Sequence, residues 1–97
     1  MMVKHIVLFK LKDNSLENCL KAKEVLLSME GKVPELKTIE VGIDYLHSER
    51  SYDVALIVTV EDELALDRYQ KDPYHCSVVK THMHAVRSSS VAIDYII

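Results

Sequence analysis

The side chains best suited to chemistry in this sequence are two histidines, a tyrosine and an aspartate: His5, Tyr69, His75 and Asp94. His75 follows Asp72-Pro73, where the aspartate suits a helix N-cap and the proline the first helical position. That places His75 beside the positive end of a helix dipole, which disfavours imidazolium and keeps the ring neutral near pH 7. A neutral imidazole can accept a proton. With the Tyr69 phenol in the same cavity to hydrogen-bond a carbonyl oxygen, His75 could take a proton from the neighbouring carbon, an aldol or enolisation step without a cofactor. The plainer alternative is that both side chains satisfy backbone groups and seal a helix–sheet seam. His5 alternates with Val7 and Phe9 and looks toward the helices, and Asp94 in the last strand is its nearest expected partner.

Other chemistries find little support. His75, His82, His84 and Cys76 invite a metal reading, but His75 and His82 lie about 10 Å apart along a helix, too far to share one ion, and no further ligand spacing completes a set. No metal site is expected. Gly31 and Gly42 are the only glycines, so neither a phosphate-cradling loop nor a dinucleotide fingerprint can be written. Lys+Arg 12 against Asp+Glu 15 gives a net charge of −3 with the basic residues scattered, which argues against a nucleic-acid partner. A hydrophobic fraction of 48% with 28% charged residues excludes disorder, and no stretch approaches the roughly 20 apolar residues of a membrane span. Cys19 and Cys76 sit in apolar helical patterns and are expected to be buried, reduced and unreactive, in a cytoplasmic protein. The N-terminus has no secretory signal pattern.

The elements that must position these residues follow from periodicity. Val3 to Leu11 alternates as a strand with apolar residues on both faces. Asp13-Asn14-Ser15 supplies capping side chains for a helix over roughly 15–30, ended by Gly31 and Val33-Pro34. Leu36 to Tyr45 and Tyr52 to Val60 read as two strands joined by the polar turn 47–51. Asp62 caps a helix carrying Leu66 and Tyr69, and the Asp72-Pro73 segment continues with apolar Val78, Val79 and Met83. From Val86 or Arg87 to Ile97 the chain alternates again.

The order βαββαβ over 1–97, as one domain, gives an α+β, ferredoxin-like plan: a four-stranded antiparallel sheet with helices on one face. Strand parity sends His5, Val7, Phe9, Val54, Leu56 and Ala92 toward the helices. It sends Ile6, Leu8, Ala55, Ile57, Val91, Ile93 and Tyr95 to the other face. An apolar face of that size predicts a homodimer joined sheet to sheet.

Three segments carry a resemblance to a known family: Val3-Lys4-His5-Ile6-Val7-Leu8-Phe9-Lys10, Tyr69 with Asp72-Pro73-Tyr74-His75, and Ile93-Asp94-Tyr95. Together they resemble the stress-responsive A/B barrel (Dabb) domain family over almost the whole length. The resemblance implies a dimeric α+β barrel. In a plant polyketide cyclase of this family, the matches of His75 and Tyr69 act on a linear polyketide, with the matches of His5 and Asp94 nearby. This chain keeps all four and departs at Val54, Leu26 and Asp72, where the cyclase pattern has a histidine, an aromatic and a histidine. Some plant relatives further suggest that Val33-Pro34-Glu35 could offer backbone oxygens to a hard cation such as Mg²⁺.

Three functional readings result. One is a cofactor-free homodimer binding a small, mostly apolar carbonyl compound in a pocket with candidate catalytic residues His75 and Tyr69, lined by His5, Val7, Phe9, Val54, Leu56 and Asp94. Another is a polyketide-cyclase-like enzyme with His75 as base, and the last is a non-catalytic scaffold whose cavity is filled. A likeness to haem-using monooxygenases on the same barrel rests on no more than a spare histidine.

Overall fold

The computed structural model describes residues 1–97. The elements are β1 (Val3–Leu11), α1 (Leu16–Leu27), β2 (Thr38–Ile43), β3 (Val54–Val60), α2 (Glu63–Lys71), a π-helical segment (His75–Lys80), α3 (Thr81–Val86) and β4 (Arg87–Ile96). They form one antiparallel sheet in the order β2-β3-β1-β4, the ferredoxin-like arrangement that the βαββαβ pattern implies. No helix is long and apolar enough to cross a membrane.

Local chemistry sets the boundaries. Ser15 caps α1 by accepting from the Asn18 amide at 3.3 Å, and Gly31, at φ +80°, turns the chain after the helix where a side chain would be strained. The Asp62 carboxylate caps α2 at the Ala65 amide, 2.8 Å away. β2 and β3 are shorter than their periodicity predicts. The Asp44 carboxylate accepts from the His47 amide at 2.7 Å and starts the turn early, leaving Tyr45 and Leu46 exposed. At the other end of that turn, buried Asp53 accepts from the Leu11 amide at 2.8 Å and from Asn14 at 3.1 Å, pinning the end of β1.

The core lies between α1, α2 and the inner face of β1, β2 and β3, with Ala22, Leu26, Met29, Val58, Val60 and Tyr69 completely buried. Ile6, Leu8, Ala55 and Ile57 are only half-buried on the opposite face, and Val91, Ile93 and Tyr95 are exposed there. β4 is an edge strand. Ala92 pairs with Val7 and shares its side of the sheet, yet it is exposed because the helical layer ends before reaching it.

Two expectations about the third helical region are corrected. The chain is helical from Pro73 to Val86, but over His75–Lys80 it adopts the wider i→i+5 winding of a π-helix. His75, Val79 and Met83, four residues apart, face inward, while Cys76 and Val78 face solvent. Cys76 is thus an exposed thiol, its Sγ 3.4 Å from the Gln70 carbonyl, whereas Cys19 is buried as expected. Burial pushes the Cys19 thiol up, and the Asp53 charge adds to the effect.

Candidate functional site

His5 comes from the middle of β1, where antiparallel pairing sets it opposite Asp94 on β4. The His5 Nδ1 donates to Asp94 Oδ1, so the carboxylate fixes the ring's orientation from the sheet edge. His75 is anchored twice. Its amide donates to Asp72 Oδ1 at 3.0 Å, the N-cap bond that the sequence implied, and its ring Nδ1 lies 3.0 Å from the Tyr69 carbonyl oxygen. A carbonyl only accepts, so Nδ1 carries the proton and Nε2 holds the lone pair.

The Tyr69 ring binds the two histidines into one cluster. It stacks on His75 with centroids 4.4 Å apart at 22°, and meets His5 edge-on at 5.8 Å. Its hydroxyl does not serve as expected. Tyr69 has no exposed surface, and the phenol is directed at Met29 Sδ, 3.7 Å away, toward the core. Met29 belongs to the interior beneath α1 and takes no part in the cavity wall, so the phenol is turned from any ligand there. Burial, with a further contribution from Asp72, pushes the phenol well above its ordinary range and keeps it protonated.

Between the sheet and the π segment lies a cavity of about 200 Å³. Its buried floor is made by His5, Phe9, Leu56, Tyr69, His75 and Met83, with Val7, Leu26 and Val79 beside them. Its less buried mouth carries Gln70, Lys80, His84, Arg87 and Ser90. Neither histidine Nε2 has a protein partner, and no partnerless polar side-chain atom is sealed from solvent. Both Nε2 atoms therefore open onto the cavity.

Of the sequence-derived lining residues, His5, Val7, Phe9 and Leu56 are in the wall. Val54 and Asp94 are not. Val54 is buried opposite Phe9, where its side chain packs in the core, and Asp94 stands behind His5 with 42% of its side chain exposed at the sheet edge. Sequence reasoning missed the mouth, although Lys80 and His84 recur at an interval of four beside the inward Val79 and Met83, with Arg87 joining them from the start of β4. That spacing puts a basic stripe alongside an apolar one.

His75 titrates below the ordinary histidine range. Burial is the largest cause; Lys80 and His5 push the same way, while the Tyr69 carbonyl and Asp72 oppose it. No three His, Cys, Asp or Glu side chains cluster closely enough to hold a metal ion. At the turn considered for a hard cation, the Val33 carbonyl accepts from the Leu36 amide at 3.3 Å.

A four-stranded antiparallel sheet with helices on one face and an imidazole-lined cavity between the layers defines a ferredoxin-like α+β protein. The family profile described as Stress responsive A/B Barrel Domain matches residues 3–97, and the chain belongs to that family. Among solved structures it is similar to a dimeric protein of ferredoxin-like fold from Bacteroides fragilis, at 27% identity and a TM-score of 0.82, covering 99% of this chain and 96% of that one. A dimeric ferredoxin-like protein from Thermobifida fusca is 23% identical with a TM-score of 0.85, over 100% of this chain and 92% of that one. A hydroxynitrile lyase from Passiflora edulis shares the fold at 20% identity and a TM-score of 0.81, over 99% and 93% of the two chains. No curated protein matches the chain.

Proposed function

We propose that the chain works as a cytoplasmic homodimer whose helix–sheet cavity binds a small, mostly apolar carbonyl compound. The observation that carries this reading is the cavity itself, about 200 Å³ with an apolar floor and two imidazole nitrogens open to it. A dry cavity of about 150 Å³ takes up benzene, so this one has room for a single ring or a short branched chain. The open space also favours binding over a scaffold in which side chains fill it. The homodimer is supported by the helix-free apolar face around Ile6, Ile57 and Ile93, and by the dimeric state of the Bacteroides fragilis and Thermobifida fusca proteins. Two unpaired cysteines suit a reducing compartment.

A second reading, cyclase-like enolisation, is favoured by one specific observation: the His75 tautomer leaves a lone pair on a buried Nε2. In this reading Nε2 takes the proton from carbon beside the bound carbonyl, and the electron pair moves onto the carbonyl oxygen as an enolate. With the Tyr69 phenol turned to Met29, the donors left for that oxygen are those of the mouth: Gln70, Lys80, His84, Arg87 and Ser90. Tyr69 acts as a positioning residue through its ring.

Titration with acetophenone, followed by NMR, tests both readings. Binding shifts the Met83 methyl and the His75 ring signals; no shift up to the solubility limit overturns the pocket reading. In D₂O, catalysed exchange of the acetophenone methyl protons is the mark of the enzyme, with His75→Ala slower by about 10²–10⁴-fold. Exchange no faster than in buffer defeats the enzymatic reading while leaving binding intact.

A further inference from the structure

The cavity departs from the charge balance of the chain that contains it. Overall the sequence carries 15 acidic against 12 basic residues, yet the 14 residues lining the cavity include Lys80, Arg87 and three histidines, and no Asp or Glu. Lys80 and Arg87 are both half-buried, and neither forms an ion pair with any carboxylate. Lys80 spends one N–H on the Gln70 carbonyl at 3.0 Å, leaving two donors, and the Arg87 guanidinium makes no hydrogen bond within the protein. The two acids nearest the histidines are already engaged, Asp94 by the His5 ring and Asp72 by the His75 amide. A partly desolvated cation without a counter-charge is unfavourable, and here two of them share one mouth above an apolar floor.

We infer that the natural ligand of this cavity carries a carboxylate on a small apolar body, with the carboxylate received at the mouth by Lys80 and Arg87 and the body resting on Phe9, Leu56 and Met83. The inference rests on the binding reading above and adds the ligand's charge to it. Arginine's planar fork matches a carboxylate in two parallel hydrogen bonds, and lysine supplies a point charge beside it. The volume of about 200 Å³ limits the body to one ring or a short chain, so the class is that of small aromatic or branched aliphatic acids.

Benzoate and benzamide share shape and differ in charge, which makes them the discriminating pair. Titrated into the full chain at low salt, benzoate should bind at least about tenfold more tightly than benzamide, with shifts centred on the Met83 methyl for both. Near 1 M NaCl, where the Debye length is about 3 Å, the gap should narrow through loss of benzoate affinity. The double variant Lys80→Gln/Arg87→Gln should abolish the gap while keeping benzamide binding. Should that variant fail to fold, the salt dependence of the unaltered protein still decides. Equal affinity for the two compounds overturns the carboxylate inference and leaves the cavity reading standing. Benzoate shifts centred on surface lysines away from Met83 also overturn it. If neither compound moves the Met83 signal, the inference and the binding reading fall together.

Discussion

The two flanks of the helix–sheet layer are built to different ends. On one, α1 sets Ala22 against β2 and β3, Met29 is completely buried just beyond the end of the helix, and the facing Val58 has no exposed surface. On the other, the π segment and α3 stop short of β4, whose Ser90, Ala92 and Asp94 stay exposed on the side that helices would cover. The first flank is where packing is complete, and the second is where a gap of about 200 Å³ remains. Both histidine Nε2 atoms open at that boundary, and their anchoring partners, Asp94, Asp72 and the Tyr69 carbonyl, come from outside the cavity wall or from backbone. In such a fold, stability comes from the side the helices cover, and access to a site from the side they leave open.

Truncation separates the two flanks most strongly. Met29→Ala, in the closed flank, should cost about 2–5 kcal/mol of stability, because a completely buried side chain leaves a cavity behind. Arg87→Gln, at the mouth, should stay within about 0.5 kcal/mol of the unaltered protein. Urea unfolding of the two variants measures both, and equal losses would erase the distinction between the flanks.

A smaller effect sharpens it through pH. His75 titrates lower in the folded protein than the ordinary 6.5, with burial as the leading cause. Above that ordinary value the ring is neutral in both states and contributes no pH dependence. As pH falls through 6.5 the unfolded chain takes up the proton first, so stability declines until the folded-state value is passed. The non-titrating His75→Gln should lose this component, so its urea midpoint should fall less than that of the unaltered protein between about pH 7.5 and about pH 5.5. A parallel fall in both proteins would show that burial of His75 is not linked to folding.

Much of the fold was legible because it depends on short-range rules. Two-residue alternation located β1 and β4, and parity alone put His5 and Asp94 on one face, since antiparallel partners share a side of the sheet. The Asp72 cap on the His75 amide was readable from the Asp-Pro pair. What escaped depends on distant or unusual geometry. The direction of the Tyr69 phenol is set by Met29, 40 residues away. Cys76 and Val78 face solvent on a segment where the backbone winds i→i+5 over six residues, and a pattern of apolar residues shows neither that winding nor which of its residues turn outward. The cationic mouth was hidden for a related reason, since Lys80, His84 and Arg87 meet only where α3 ends and β4 begins. Asp94 fell outside the cavity wall because its carboxylate is turned to the His5 ring.

Everything proposed for the cavity depends on His75 presenting a neutral imidazole to it with Nδ1 protonated and Nε2 free. Nitrogen-detected proton correlation on the ¹⁵N-labelled full chain at about pH 7 reads this directly, because the two ring nitrogens report protonation separately. Nδ1 should be protonated and bonded to the Tyr69 carbonyl, and Nε2 should be unprotonated, with a signal that moves when acetophenone is added. An Nε2–H tautomer, or an imidazolium persisting at that pH, would contradict this assignment.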